Sequence, residues 1–236
     1  MDCQGKKMAV FTILVLCFAG NAYAGIPEEE RNALIALYDS TDGPNWSQQS
    51  GWREPAGTEC SWFGVQCDEM QNHILSIRLS GNGLKGPLPE ELGNLSHLVY
   101  LNLESNEISG SVPNQMKFLE NLRVLNLEWN MMTGNIPPEI GMLKNLRELR
   151  LGINQFSGVI PRELGSLSEL RILDLGANRL TGSVPNELEQ MANLEELCLE
   201  INQLTEISPA FPQNLPALRI LRLHSNPFSA YSSRQP

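Results

Sequence analysis

Basic residues are scarce in this sequence of 236 residues. It contains 17 lysines and arginines against 27 aspartates and glutamates, which gives a formal net charge of −10. A nucleic acid or an anionic membrane as the main partner requires a basic face that acts against this overall field. We therefore expect no nucleic-acid partner. With 42% hydrophobic and 19% charged residues, the chain can still bury a substantial core.

Long hydrophobic runs are absent after the N-terminus. The one such run, residues 8–19, follows two lysines and precedes small residues that end at Ala24. It is too short for a membrane span, which needs about 20 residues. The pattern predicts that residues 1–24 are a cleaved secretory signal peptide. A lipidation site at Cys17 is the alternative, but a large residue precedes this cysteine. We expect no membrane span and an extracellular location, where cysteines pair.

What the sequence does contain is a repeat of 24 residues marked by asparagine. The recurring asparagines are Asn82, Asn106, Asn130, Asn154, Asn178, Asn202 and Asn226. Apolar residues lie three and five positions before each, such as Leu125 and Leu127 before Asn130. This alternation predicts a short strand with leucines inward and polar residues outward. The amide is expected to satisfy backbone groups at the bend and to tie each coil to the next. LxxLxLxxN at this period is the leucine-rich repeat signature.

The second half of each repeat is equally regular. In the first five repeats a glycine lies four positions after the asparagine and a proline seven positions after it. Glycine permits an unusual backbone turn and proline holds an extended one. No repeat can bury its apolar side alone, so stacking supplies the core. We predict a cap at residues 25–73, seven repeats at 74–228 and a tail at 229–236.

Two segments show the full repeat, NGLKGPLPEELGNLSHLVYLNLESN from Asn82 and NQFSGVIPRELGSLSELRILDLGAN from Asn154. Upstream, CSWFGVQC runs from Cys60 to Cys67. These stretches resemble the plant-type extracellular leucine-rich repeat proteins, whose N-terminal cap carries CxWxGVxC. The resemblance implies an α/β solenoid, a right-handed superhelix with a concave parallel β-sheet and a helical cap. It also implies a binding function, as in receptor-kinase ectodomains and polygalacturonase-inhibiting proteins.

The ends of the chain differ from that family's pattern. Residues 206–209 read EISP in place of GxIP, and no cysteine pair closes the C-terminal end. The absence of a membrane span and of a kinase domain weighs against a receptor. In the cap, Cys60 and Cys67 should form a disulfide, which leaves Cys198 unpaired. At the open end, Phe228 and Tyr231 are the residues available to cover the last strand.

Candidate catalytic residues are few. The histidines are His73, His97 and His224. His73 and His97 each lie nine residues before a repeat asparagine, which favours a structural position at the coil edge. His224 lies near Glu200 and Cys198 on the concave face, but an open sheet offers neither a pocket nor oxyanion donors, and no zinc spacing motif is present. We expect no enzyme activity, no cofactor and no metal.

The candidate partner site occupies outward strand positions, which the fold leaves free to vary. Trp129 and Ile153 each precede a repeat asparagine, and adjacent strands about 4.8 Å apart would bring them into contact. Exposed aromatics among arginines and acidic residues are typical of an interface hot spot, although Trp129 shielding the sheet is the alternative. The predicted partner-binding residues are Tyr100, Asn102, Glu104, Arg123, Asn126, Glu128, Trp129, Arg147, Arg150, Ile153 and Arg171.

The sequence thus predicts a secreted, non-catalytic recognition module that binds a protein, a peptide or a cell-wall glycan on its concave face. An architectural or adhesive repeat protein that self-associates, and the soluble ectodomain of a receptor, are the alternatives. We expect a monomer, with association through the C-terminal coil as the competing outcome. Glycosylation sequons begin at Asn45, in a cap loop, and at Asn94, on the convex side. Both are predicted to carry sugar in a eukaryotic host.

Overall fold

The computed structural model describes residues 25–229. The predicted signal peptide, and Tyr231 in the predicted tail, lie outside the described residues. The helix is α1 (Glu28–Ser40), and the strands are β1 (Val65–Cys67), β2 (Ile74–Arg78), β3 (Lys85–Pro87), β4 (Tyr100–Asn102), β5 (Glu107–Gly110), β6 (Val124–Asn126), β7 (Met131–Asn135), β8 (Glu148–Arg150), β9 (Gln155–Val159), β10 (Ile172–Asp174), β11 (Arg179–Ser183), β12 (Glu196–Cys198), β13 (Gln203–Glu206) and β14 (Ile220–Arg222). Short 3-10 helices are Gly43–Asn45, Glu59–Ser61, Glu90–Asn94, Asn114–Phe118, Pro138–Met142, Arg162–Ser166, Asn186–Gln190 and Phe211–Asn214.

The strands before the repeat asparagines form one long sheet, as the repeat predicts. Its order is β1-β2-β4-β6-β8-β10-β12-β14, with β1 antiparallel to β2 and the other strands parallel. Leu125 of β6 lies opposite Leu101 on one side and Leu149 on the other, so the register advances by one repeat per strand. A slip of one residue would turn every leucine outward. We call the surface of this sheet that points away from the core the concave face.

A second sheet follows the repeat asparagines, where the glycine and proline positions predict a backbone turn and an extended conformation but no sheet. Strands β3, β5, β7, β9, β11 and β13 form this six-stranded sheet. In β7, Met132 is fully buried while Met131 and Thr133 on either side are exposed. The period of two is therefore present, but it spans too few residues in each repeat to identify a strand.

The asparagine ladder ties the coils together in the predicted way. Asn130 Nδ2 donates to the carbonyl of Leu103 in the preceding coil at 3.0 Å and to that of Leu127 in its own coil at 3.1 Å. Its Oδ1 accepts from the N–H of Ile108 at 3.0 Å. Because leaving such a buried backbone group unpaired costs about 1–3 kcal/mol, each amide stabilises the junction between two coils.

The N-terminal cap combines a helix, an aromatic cluster and a disulfide. Helix α1 packs against the 3-10 helix Glu90–Asn94 and buries Leu34 fully. The rings of Trp46 and Trp52 pack edge to face with centroids 4.8 Å apart. Cys60 and Cys67 are joined by a disulfide with Cα atoms 5.5 Å apart. The structure therefore confirms the predicted disulfide-bonded helical cap.

Among the described residues, the last strand of the long sheet is less buried than the strand before it. In β14, Ile220 is exposed and Leu221 is only partly buried, whereas Leu197 at the same position one coil earlier is fully buried. Phe228 packs against the core from beyond the last strand, as the sequence predicts for a covering residue. Between residues 25 and 229, no helix has the length and apolar character that crossing a membrane requires.

Candidate functional site

The concave face is built around two glycines that make room for acidic side chains. A Cβ atom added at Gly152 would lie 2.7 Å from Asp174 Oδ1, and one added at Gly176 would lie 3.0 Å from Glu200 Cδ. Each carboxylate therefore lies over a glycine of the preceding coil. Because Gly152 and Gly176 have no side chain, they leave space on the sheet surface, and the carboxylates of Asp174 and Glu200 fill it.

The carboxylates at the centre of this face are partly desolvated. Burial raises the pKa of Asp174, and the charge of Glu200 adds to this, while the Gly176 N–H and Arg150 act in the opposite direction. Burial also raises the pKa of Glu128, with the charge of Asp174 adding to the effect. Acidic side chains that raise the pKa of a neighbouring carboxylate create a negative potential. The centre of the face is therefore suited to a partner that carries positive charge.

The predicted arginines occupy two separate places. Arg150 ends β8 on the concave face, where its Nε lies 3.6 Å from Glu148 Oε2. Arg123, Arg147 and Arg171 directly precede β6, β8 and β10, at the edge of the sheet where the strands begin. Trp129 lies six residues after Arg123, about 20 Å along an extended chain. The three edge arginines therefore lie where the strands begin, whereas Trp129 lies beyond the end of β6.

Three other predicted residues are engaged within the protein. Asn126 is buried, not open to a partner: its Nδ2 donates to Glu104 Oε2 at 3.0 Å, and its Oδ1 accepts from the Glu128 N–H at 3.0 Å. Its role is to orient Glu104.

The guanidinium of Arg78 lies 3.8 Å from the centroid of the Tyr100 ring. Tyr100 is therefore half covered by a cation of the preceding coil. Asn102 remains partly exposed, and its Oδ1 accepts from the Glu104 N–H at 2.9 Å.

The residue before each repeat asparagine lies in a turn beyond the strand, which corrects the prediction that Trp129 and Ile153 lie on strands. We call these residues the turn column: Ser105, Trp129, Ile153, Ala177, Ile201 and Ser225. Trp129 is 57% exposed, Ile153 40% and Ile201 53%. Ile201 is absent from the predicted set, although its repeat position could have identified it.

Every member of the turn column has a left-handed backbone. The φ angles are 56° at Trp129, 51° at Ile153 and 54° at Ile201. This conformation costs roughly 1–2 kcal/mol for a residue with a Cβ atom, and a β-branched residue there is an outlier. The Ile153 N–H donates to the Gly176 carbonyl at 2.9 Å, which fixes the turn to the next coil. Gly81 occupies the same repeat position and has a φ angle of 61°. Its being a glycine is the one feature of the sequence that indicates a left-handed backbone at this position.

Comparison with known proteins decides the family. The family model described as a leucine-rich repeat region matches residues 72–233, and a leucine-rich repeat N-terminal domain matches residues 27–68. The chain belongs to the leucine-rich repeat family.

Relatives of this leucine-rich repeat protein include plant receptors. A probable leucine-rich repeat receptor-like protein kinase from Arabidopsis thaliana is 37% identical over 95 residues, which cover 39% of this chain and 10% of the kinase. The Arabidopsis receptor kinase HAESA, solved with the peptide hormone IDA and the co-receptor SERK1, aligns with a TM-score of 0.75 and 31% identity over 84% of this chain and 33% of the receptor chain. A chain of the Arabidopsis BIR3–SERK2 complex aligns with a TM-score of 0.67 and 35% identity over 75% of this chain and 95% of its own length. This chain thus spans about a tenth of the first curated relative.

The concave face of the leucine-rich repeat domain holds no activated nucleophile at Cys198. Its side chain is fully buried, and its Sγ lies 3.4 Å from Glu196 Oε1. Burial raises the pKa of Cys198 to about 12, and the charges of Asp174 and Glu200 contribute further. A protonated, buried thiol is unreactive. His224 is exposed and lies two residues beyond the end of β14, and no hydrogen bond joins it to Cys198 within residues 25–229.

The other two histidines have a partner that the sequence analysis does not predict. His73 and His97 hold the expected positions at the coil edge, one repeat apart, and their rings stack with centroids 3.6 Å apart. Both face the buried carboxylate of Glu30, which belongs to α1.

Proposed function

We propose that this protein is a secreted, non-catalytic recognition module that binds a peptide or protein partner along its turn column and the adjoining concave face. One observation carries the proposal: large, exposed apolar side chains stand on a strained backbone at Trp129, Ile153 and Ile201. Glycine or asparagine would relieve that strain. The repeat imposes the left-handed backbone on every member of the turn column, and the three large, exposed apolar side chains are what this chain adds to it.

Burial by a partner offsets the strain. Fully burying one isoleucine side chain stabilises a complex by roughly 1.5–3 kcal/mol, which equals or exceeds the cost of one left-handed residue. Ile153 and Trp129 precede consecutive repeat asparagines, so an extended segment can contact both. The turn column therefore provides apolar anchors at a regular interval.

The charge of the concave face indicates the chemistry of the partner. Glu128, Asp174 and Glu200 line its centre, and Arg150 and Arg222 are the cations among them. We therefore infer a partner with basic residues beside apolar ones. The relatives support a peptide or protein: HAESA is solved with a peptide hormone, and BIR3 with SERK2. A cell-wall glycan would not meet the acidic face with complementary charge.

Differential capture from the extracellular fluid of the source organism tests this function. The bait is the purified protein, and the comparison bait carries Trp129→Ala and Ile153→Gly. Phe118→Ala, which removes an exposed aromatic from the convex side, is the matched control. A partner retained by the wild type and the control but lost with the double variant supports the proposal. Equal capture by all three baits would exclude the turn column.

Self-association is the competing function, and the exposed end of the solenoid favours it. Ile220 of β14 is exposed, and no further coil follows it among the described residues. Light scattering of the purified protein distinguishes the two functions. A monomer across the working concentration range supports recognition of another molecule, whereas a dimer abolished by Ile220→Glu supports assembly through the C-terminal coil.

A further inference from the structure

Glu30, His73 and His97 meet where the cap helix packs on the first coils. Glu30 is in the first turn of α1, His73 directly precedes β2 and His97 lies shortly before β4. The repeat places the two histidines 24 residues apart, so one imidazole stacks on the other. One donor atom from each of the three residues lies within 4.8 Å of the others.

Both imidazoles direct the same nitrogen at the same carboxylate oxygen. His73 Nδ1 lies 2.7 Å from Glu30 Oε1, and His97 Nδ1 lies 3.6 Å from it. The first distance is a hydrogen bond and the second is not. His97 Nδ1 also lies 3.3 Å from Ser96 Oγ, an exposed contact. A hydrogen bond therefore explains the position of His73 but not the convergence of His97.

The carboxylate of Glu30 is short of compensating charge. The residue is buried, and its Oε2 accepts from the Ile74 N–H at 2.8 Å. Its neighbour Arg31 pairs with Glu59, and within residues 25–229 no lysine or arginine forms an ion pair with Glu30. A buried carboxylate is costly unless a cation balances it. Histidines supply that charge only when protonated, whereas a bound divalent cation supplies it at neutral pH.

The spacing of the donors fits a small tetrahedral ion. Zinc binds imidazole nitrogen and carboxylate oxygen at about 2.0–2.2 Å, so ligand atoms in a tetrahedral site are about 3.3–3.6 Å apart. The distances from Glu30 Oε1 to the Nδ1 atoms of His73 and His97 are 2.7 and 3.6 Å, and these two values span that range. His73 and His97 are partly exposed, so modest side-chain rotation can complete the geometry. Glu30 is held by its second oxygen and provides a fixed ligand.

A further carboxylate orders the loop that carries His73. Asp68 Oδ1 accepts from the Asn72 and His73 N–H groups at 2.7 and 3.2 Å. The backbone at this ligand is therefore fixed by hydrogen bonds.

We propose that Glu30, His73 and His97 form a zinc site that fastens the cap helix to the first two coils. Two imidazoles and one carboxylate are a donor set that zinc accepts with water in the fourth position. The cation would link α1 to two successive repeats, because each ligand comes from a different segment. The half-exposed histidines leave the fourth position facing solvent.

Calorimetry with zinc chloride on the chelator-treated, full-length secreted protein tests the site. We expect one zinc ion per chain and a rise in melting temperature on zinc addition, because a cation that binds the folded form stabilises it. His97→Ala is the principal variant, since His97 is partly exposed and its loss leaves the core intact. Loss of even an outer partner of a metal ligand weakens binding about 10–100-fold, so loss of a ligand should weaken zinc binding at least tenfold.

Matched controls make the outcome decisive. His224→Ala removes the remaining histidine, and Glu29→Gln removes an exposed carboxylate from the same turn of α1; both should bind zinc like the wild type. Excess calcium should not displace zinc, because calcium takes oxygen ligands. The proposal is overturned if the wild type binds no zinc, if His97→Ala binds it normally, or if calcium displaces it. If Glu30→Gln fails to fold, the His97→Ala comparison still decides.

Discussion

The turn column and the convex side both present large apolar side chains on successive coils, but their backbones differ. Phe118 and Met142, each twelve residues after a repeat asparagine, are 52% and 57% exposed. Both end ordinary 3-10 helices. Trp129 and Ile153 are similarly exposed but have left-handed φ angles. Exposure alone therefore does not identify a site in this solenoid, whereas exposure combined with backbone strain singles out one edge.

The largest expected effect is on partner binding at the turn column. Trp129→Ala should weaken binding at least about tenfold, because truncating a central anchor costs about 2 kcal/mol or more. Arg150→Glu should do the same by adding a charge to the acidic centre. Phe118→Ala should leave affinity unchanged. Surface plasmon resonance with the captured partner measures all three, and an equal loss with Phe118→Ala would move the site to the convex side.

Glycine substitution should separate binding from stability. Ile153→Gly should raise the free energy of unfolding by up to about 1 kcal/mol, because glycine adopts the left-handed backbone without a Cβ penalty, while binding falls. Met142→Gly is the matched change on the convex side and should lower stability, since its backbone needs no glycine. Urea unfolding gives both values. A loss of stability at Ile153→Gly would show that the isoleucine is needed for packing.

The raised pKa of Asp174 predicts a pH-dependent gain on neutralisation. The folded state holds the Asp174 proton more tightly than the unfolded state does, so protonated Asp174 stabilises the fold below its ordinary pKa of 3.8. This contribution to the free energy of unfolding is lost as pH rises through the higher pKa of the folded state. Asp174→Asn should therefore raise the melting temperature at neutral pH, and this gain should vanish below about pH 4. Glu163→Gln on the convex side is the control and should show little change. A gain that persists at low pH would exclude the desolvated carboxylate as its source.

Removal of sugar should have the smallest effect. Asn94 occupies the same repeat position as Phe118 and Met142, and Asn45 lies in the cap; both are exposed. Neither is on the concave face, so enzymatic deglycosylation of protein made in a eukaryotic host should leave partner affinity unchanged. Intact mass reports the sugar, and the binding assay reports its consequence. A loss of binding would place a contact on the convex side or on the cap.

The sequence predicts the features of the site that depend on one strand alone and misses those that depend on a contact between coils. Glu104, Glu128 and Arg150 reach the concave face as predicted, because alternation along a strand decides the face. Asn126 follows the same alternation but is buried, since the long side chain of Glu104 in the preceding coil accepts its hydrogen bond. The neighbouring coil, which the strand pattern does not describe, decides this case.

The sequence alone determined the coil: the period, the leucines facing inward, the asparagine ladder and the disulfide-bonded cap all follow from short motifs at fixed spacing. Tertiary structure decided what required two distant segments or a backbone angle. Glu30 and His73 are 43 residues apart and meet only when α1 packs on the first coil. The left-handed backbone of Ile153 accompanies a hydrogen bond from its N–H to the next coil, which the residue type does not indicate. Side-chain periodicity is a property of one segment, whereas strain and convergence arise from packing between segments.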